Sequence, residues 1–203
     1  MLFDFNFSFV VYINGVFTVN LPLMYTRIKK APKASFFLLG PRGTGKSTWL
    51  KQQFQDEMYY IDLLKAKNLM PLLKDPSLLA KLVNGQSKKM IVIDEIQKAP
   101  KLLDEVHSLM EEDSSLKFVL TGSSARKLKK ADANLLAGRA LTELFFSLSY
   151  QEVCNDVSAG RILEYGCLPK VVSVQSNAER VRLLESYTNT YLREEIQQEA
   201  LVR

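Results

Sequence analysis

The sequence predicts an α/β fold, a parallel β-sheet of about five strands with helices on both faces, followed by a helical segment. Three observations predict it. Short apolar runs alternate with segments of helical periodicity, which is the order expected for parallel strands joined by crossover helices. A glycine-rich loop separates the first of these runs from the first helical segment. Two adjacent carboxylates end a later run, at the sheet edge where α/β proteins bind ligands.

The glycine-rich loop directly follows the apolar run 36–39 and matches G-x-x-x-x-G-K-[ST], the P-loop or Walker A motif. Glycines let backbone N–H groups point at phosphate oxygens, and the N-terminus of the next helix adds positive potential. Lys46 is expected to reach the β- and γ-phosphates of a nucleotide, and the Ser47 hydroxyl to bind Mg²⁺. The predicted nucleotide-binding residues are Gly40, Pro41, Arg42, Gly43, Thr44, Gly45, Lys46, Ser47 and Thr48.

A second motif supports the first. Four apolar residues, 90–93, precede Asp94 and Glu95, a pattern typical of a strand that is buried on both faces of a parallel sheet. Asp94 is expected to hold Mg²⁺, directly or through water, as the Walker B acid. Glu95 is expected to polarise the attacking water as a general base. The predicted metal ligands are therefore Ser47 and Asp94.

The strand predicted over 116–120 ends in a polar segment that starts at Thr121. In P-loop ATPases of the additional-strand type, the strand beside the Walker B strand ends in a polar sensor. Thr121 or Ser123 is expected to contact the water or the γ-phosphate, and the alternative is a serine that caps a helix. Arg139 is a further candidate to reach a γ-phosphate, with a structural ion pair as its alternative.

The remaining elements are strands predicted over 58–63 and 141–148 and a helix predicted over 102–112. His107 is expected on the polar face of that helix, in solvent. A basic cluster follows the sensor strand, and it is either a solvated helix face or a contact to phosphate, nucleic acid or a neighbouring subunit. Its members are Arg126, Lys127, Lys129 and Lys130.

The first 23 residues differ in character from the rest. Phenylalanines at positions 3, 5, 7 and 9 alternate with polar residues, and an Asn-Gly pair follows at 14–15, which together predict a hairpin. Upstream sequence carried by a misassigned start, with Met24 as the natural first residue, is the open alternative. The predicted organisation is an N-terminal extension (1–23), a P-loop core (24–150) and a helical lid or connection (151–203). No transmembrane helix is predicted, since polar residues interrupt the apolar run.

Taken together, these motifs resemble those of the bacterial and archaeal AAA-type ATPases that carry a C-terminal domain of unknown function. The resemblance runs from about residue 24 to the end and implies an AAA-like sheet of the additional-strand type, with ATP rather than GTP as the nucleotide. It also implies that a C-terminal domain is missing beyond residue 203. Assembly into a homo-oligomer is left as an open possibility. The motifs are Gly-Pro-Arg-Gly-Thr-Gly-Lys-Ser (40–47), Tyr-Ile-Asp-Leu (60–63), Ile-Asp-Glu-Ile-Gln-Lys-Ala-Pro (93–100), Leu-Thr-Gly-Ser-Ser-Ala-Arg-Lys-Leu (120–128), Asn-Leu-Leu-Ala-Gly-Arg-Ala (134–140), Gly-Cys-Leu-Pro (166–169) and Tyr-Leu-Arg-Glu-Glu-Ile-Gln-Gln-Glu-Ala-Leu-Val-Arg (191–203).

Composition narrows the function classes. With 47% hydrophobic and 24% charged residues, the chain is neither a disordered nor a fibrous protein. Two cysteines, Cys154 and Cys167, are too few for a disulfide scaffold and fit a reducing cytoplasm. The leading hypothesis is a Mg²⁺-dependent ATPase, weak as an isolated domain. A nucleotide-gated switch and a nucleic-acid-associated ATPase, suggested by the net charge of +5, are the alternatives.

Overall fold

The computed structural model of this 203-residue protein describes residues 25–123 and 136–192. Its sheet contains β1 (Phe36–Leu39), β2 (Met58–Asp62), β3 (Met90–Asp94), β4 (Lys117–Gly122) and β5 (Leu141–Leu144). Every strand pair is parallel, and the strand order is β2-β3-β4-β1-β5. The predicted five-stranded α/β fold is therefore confirmed.

Helices connect the strands and extend beyond the last one. In the described residues they are α1 (Lys46–Phe54), α2 (Ala66–Lys74), α3 (Leu78–Asn84), α4 (Leu102–Glu112), α5 (Tyr150–Val153), α6 (Ala159–Tyr165), α7 (Pro169–Ser173) and α8 (Asn177–Tyr187). Serines cap several of the later helices: the Ser149 and Glu152 side chains form a capping box on α5. A π-helical turn, Thr188–Leu192, continues α8.

Two apolar cores lie on opposite faces of the sheet because side chains alternate along each strand. Phe36 and Leu38 of β1 pack with Trp49 of α1 on one face. Phe37 and Leu39 belong to the core on the other face, which α3 and α4 cover. Helices on both faces bury β1, β3 and β4 almost entirely, which is why apolar residues run consecutively along them, whereas the edge strand β5 is largely exposed.

The strand order sets the geometry of the site. Strand β4 lies between β1, which leads into the P-loop, and β3, which ends in Asp94, the predicted Walker B acid. An additional strand therefore separates the two motif-bearing strands, as the sequence predicted. All five strands run in the same direction, so the P-loop, Asp94 and Thr121 meet at the carboxyl edge.

Several predicted bounds differ from the structure. The fifth strand stops at Leu144 rather than at 148, because the chain turns away towards the capping box that starts α5. The fourth strand extends to Gly122, two residues beyond its predicted end. The extension 1–23 and the basic cluster 126–130 lie outside the described residues. Among the helices of the described ranges, none has the length and apolarity needed to cross a membrane.

Candidate active site

The P-loop bends sharply where β1 ends. A Cβ atom on Gly40 would lie 1.9 Å from the carbonyl oxygen of Phe145, so the neighbouring backbone leaves no room for a side chain. The N–H of Gly40 donates to the carbonyl of Gly122 at 3.2 Å, which fixes the start of the loop on β4. Gly45, with φ of 93°, adopts a left-handed conformation and forms the N-cap of α1. The loop thus delivers its backbone to the N-terminus of a nine-residue helix.

Lys46 lies inside this loop. Its ammonium group donates hydrogen bonds to the carbonyl oxygens of Gly40 (2.6 Å) and Pro41 (2.9 Å), and the residue is only 7% exposed. Burial lowers the pKa of Lys46, while the negative charges of Glu95 and Asp94 oppose that change. A partly desolvated cation at a helix N-terminus is suited to binding an anion with several oxygens.

Asp94 is the centre of a hydroxyl cluster. Its Oδ2 atom accepts a hydrogen bond from Ser47 Oγ at 2.9 Å and another from the Tyr60 hydroxyl. Its Oδ1 atom accepts from the hydroxyl of Thr121. With Asp94 only 6% exposed, these donors satisfy a carboxylate that water scarcely reaches. The cluster brings Ser47 of the P-loop, Asp94 at the end of β3 and Thr121 of β4 together.

Glu95 follows Asp94 in an unusual backbone conformation, with φ of 63°. A non-glycine residue in this region is strained, and such residues occur often at functional sites. Its N–H donates to Thr121 Oγ1 at 3.1 Å, and its carboxylate accepts a hydrogen bond from the Gln97 amide. Thr121 and Gln97 therefore fix both ends of Glu95.

A cavity of about 410 Å³ adjoins the P-loop. Thr44, Thr48 and Trp49 line one side, and Tyr25, Leu148 and Pro169 line others. The later helices also touch the loop, since the Tyr187 hydroxyl donates to the carbonyl of Arg42 at 3.2 Å. Arg42 itself is exposed and lies with its guanidinium 5.8 Å from the Tyr191 ring centre.

Comparison with known protein families decides the assignment. A family model described as an AAA domain matches residues 32–154, more than half of the chain. The chain belongs to the AAA domain family. The AAA-type assignment made from the motifs is thereby confirmed, and it supports a P-loop ATPase domain that binds ATP. No curated protein matches the chain.

Two solved structures align with this AAA domain protein at low identity. One is a replication initiator DnaA bound to AMPPCP and single-stranded DNA, with 12% identity and a TM-score of 0.43. The alignment covers 82% of this chain and 58% of that one. The other is a DNA replication initiation factor, with 13% identity, a TM-score of 0.43 and coverage of 83% and 59%. The chain therefore spans under two thirds of the length of either protein.

Two of the predicted site residues, Arg139 and Ser123, make no contact with the cluster around Asp94 among the hydrogen bonds of the described residues. Arg139 precedes β5, whose first residue pairs with the start of β1, so it lies at the sheet edge opposite the P-loop. Its guanidinium is bonded to Glu111 at 2.8 Å, which is the ion-pair alternative, and the structure does not bring it to the site. Ser123 is buried at the end of β4, and its hydroxyl has no partner among the described residues. It thus stays a sensor candidate by position.

Three residues that contact the candidate site were not predicted from the sequence. Tyr60 and Gln97 lie inside motifs that were recognised, but no spacing rule assigns them a contact to Asp94 or Glu95. Arg27 belongs to a charged stretch, 27–33, whose sequence alone predicts an ordinary polar entry into the domain. Instead its side chain is 9% exposed and donates to the P-loop carbonyl of Thr44 at 3.0 Å and to Glu152 at 3.0 Å. The one sequence signal at Arg27 is that it lies outside any apolar pattern, and that signal would have predicted an exposed side chain.

The close approach of the Phe145 backbone to Gly40 predicts a large loss of stability when a side chain is added there. Gly40→Ala should destabilise the fold by on the order of 3 kcal/mol, because the added Cβ meets backbone rather than a movable side chain. Gly160→Ala is the matched control: a Cβ there meets nothing within 4 Å, and alanine in a helix should stabilise slightly. Thermal unfolding of both variants measures this. Equal midpoints for the two variants would contradict the close packing of the loop on Phe145.

Proposed function

We propose that this chain binds ATP with Mg²⁺ and hydrolyses the γ-phosphoanhydride bond, with an attached domain or partner using the energy. One observation carries the proposal: the Ser47 hydroxyl of the P-loop donates to the Walker B acid Asp94 at 2.9 Å. The two motifs, 47 residues apart in sequence, form one polar site beside a buried lysine. A glycine-rich turn without a nucleotide-binding role would not require this second motif at its side.

The donors around Asp94 fit Mg²⁺. A carboxylate and a hydroxyl are hard oxygen ligands, and Mg²⁺ is held by one or two such groups together with substrate phosphates and water. Ser47 and Asp94 would hold the ion, the latter directly or through water. When bound, Mg²⁺ would neutralise charge on the β- and γ-phosphates.

The chain's own groups supply the remaining chemistry. The P-loop amides and Lys46 bind and orient the triphosphate, because the N–H groups at the start of α1 and the ammonium converge there. Glu95 accepts a proton from the attacking water; the Gln97 amide engages only its Oε2 atom, so the carboxylate keeps the capacity to accept from that water. Ser123 is proposed as the sensor, since its buried hydroxyl has no partner within the described ranges.

The cavity beside the P-loop is proposed to hold the nucleoside. Trp49 and Leu148 are buried apolar walls, and Thr48 and the Arg27 guanidinium are polar groups at its lining. Apolar walls with few polar groups are typical of small-molecule pockets. A purine suits such a pocket because it has apolar ring faces and polar edge groups. Competition between ATP and GTP for this pocket tests the base preference.

The hydrolysis step is tested with Glu95→Gln, which keeps size and removes the base. Phosphate release from ATP should fall about 100-fold or more, whereas ATP affinity should stay at the wild-type value. Glu112→Gln is the matched control, because Glu112 is exposed at the far end of α4. It should retain the full rate.

Other outcomes would change the proposal in defined ways. A Glu95→Gln variant that hydrolyses ATP at the wild-type rate would reject Glu95 as the base. Wild-type protein that binds ATP tightly without turnover would favour a nucleotide-gated switch. Wild-type protein that binds no nucleotide would reject the proposal altogether.

A further inference from the structure

Tyr60 makes a contact to Asp94 that the nucleotide-binding motifs do not describe. Its hydroxyl donates to Oδ2 of Asp94, the same oxygen that accepts from Ser47. Strands β2 and β3 pair in register, with Tyr60 beside Val92 and Asp62 beside Asp94. Tyr60 therefore lies two residues before the level of the carboxylate, on the neighbouring strand.

The length of the tyrosine side chain explains how the contact forms. Two residues along a strand span roughly 6.6 Å, and side chains in strands lean along the strand direction. A phenol can cover this distance and still end in a donor, which a serine or threonine at the same position could not. The ring is also held in place: it packs against the core that contains Trp49, and the Lys51 ammonium lies 5.3 Å from its centre.

The shared oxygen ties the orientation of Asp94 to two elements. Ser47 reaches it from the first turn of α1, and Tyr60 reaches it from β2. Donors that converge on one carboxylate oxygen from different elements restrict rotation of the carboxylate plane. Partners of this kind behind a metal ligand orient it and tune its affinity for the ion.

We propose that Tyr60 is a positioning residue for the Mg²⁺ site, which holds Asp94 in the orientation that meets Ser47. This inference rests on the proposed function, since it assigns Tyr60 a part in the same site. The Tyr60 hydroxyl should then affect the Mg²⁺-dependent part of nucleotide affinity. It should leave unaffected the contacts that the P-loop amides and Lys46 make to phosphates.

Tyr60→Phe tests this, because it removes one hydroxyl and keeps the ring. The affinity for a fluorescent ATP analogue is measured in EDTA and then over a Mg²⁺ series. The half-saturating Mg²⁺ concentration should rise about 10-fold, while the affinity in EDTA and the thermal midpoint stay near wild type. Tyr59→Phe is the matched control: Tyr59 directly precedes Tyr60 on β2, packs against the opposite core and should leave the Mg²⁺ series unchanged.

A double variant tests whether Tyr60 acts through Asp94. In an Asp94→Asn background, Tyr60→Phe should add no further change in Mg²⁺ dependence. An unchanged Mg²⁺ midpoint in Tyr60→Phe overturns the inference, as does an equal loss of affinity with and without Mg²⁺. Wild-type protein without Mg²⁺-stimulated nucleotide binding would reject the proposed function first, and this inference with it.

Discussion

Lys46→Met should lower ATP affinity by about 100-fold while leaving the fold intact. The change keeps the side-chain stem and removes the ammonium, which bonds two P-loop carbonyls and is expected to bind the β- and γ-phosphates. A 100-fold loss corresponds to about 2.7 kcal/mol, in the range of charge-assisted hydrogen bonds in a partly desolvated site. Equilibrium titration with ATP and Mg²⁺ measures it.

The fold should tolerate this change because burial already disfavours the Lys46 charge and lowers its pKa. The thermal midpoint without nucleotide should stay within about 3 °C of wild type. Lys74→Met, at the exposed end of α2, is the control and should bind ATP like wild type. A Lys46→Met variant that keeps full affinity would show that the triphosphate binds elsewhere.

Arg27→Met should cause the largest loss of stability among these variants. Arg27 and Glu152 form an ion pair at 3.0 Å with side chains only 9% and 4% exposed. Removing one partner leaves the other charge buried, which costs about 3–5 kcal/mol. Arg27 also donates to the carbonyls of Thr44, Phe146 and Ser147 and lies 4.1 Å from the Phe145 ring centre. The thermal midpoint should therefore fall by roughly 10 °C.

Two comparisons separate this expectation from a general effect of charge removal. Lys89→Met breaks the exposed pair of Lys89 with Asp113 and should leave the midpoint close to wild type. Adding Glu152→Gln to Arg27→Met should restore part of the loss, since no buried charge then stays unpaired. A Lys89→Met variant as unstable as Arg27→Met would contradict this account.

The same pair predicts a pH dependence with a definite sign. Burial raises the pKa of Glu152, but hydrogen bonds from the N–H groups of Ser149 and Ile28 and from Arg27 outweigh it, so the net pKa is lowered from 4.5. A carboxyl with a lowered folded-state pKa stabilises above its ordinary value and loses that contribution as the pH falls through the folded value. The stability difference between wild type and Glu152→Gln should therefore narrow below about pH 4.5.

Much of the fold followed from local patterns. Runs of three or four consecutive apolar residues in β1, β2, β3 and β4, with turn and helix signals between them, were enough to predict a parallel sheet. The P-loop and Asp94-Glu95 could be proposed as a nucleotide and metal site because phosphate and metal chemistry restrict residue types at fixed spacing. The strand order explains why these motifs meet, since β4 separates their strands and all ends lie at one edge.

The contacts that escaped prediction depend on tertiary register. Tyr60 meets Asp94 only because β2 pairs with β3 in a particular register, which no periodicity in the sequence defines. Arg27 resembles an ordinary exposed cation until α5 and the P-loop are placed around it. Arg139 follows a glycine, in a sequence context that suggested a γ-phosphate contact. The start of β5, however, lies at the sheet edge opposite the P-loop, and Arg139 pairs there with Glu111. Position along the chain does not report which edge a residue occupies.

The central claim is that this chain binds the triphosphate of ATP at its P-loop with Mg²⁺ at Ser47 and Asp94. A crystal structure with Mg²⁺ and a non-hydrolysable ATP analogue tests it most directly. We expect phosphate oxygens within hydrogen-bond distance of Lys46 Nζ and of the backbone N–H groups at the start of α1, with the metal on Ser47 Oγ. An analogue bound with its triphosphate away from Lys46, or crystals that take up no analogue at saturating concentration, would contradict the claim.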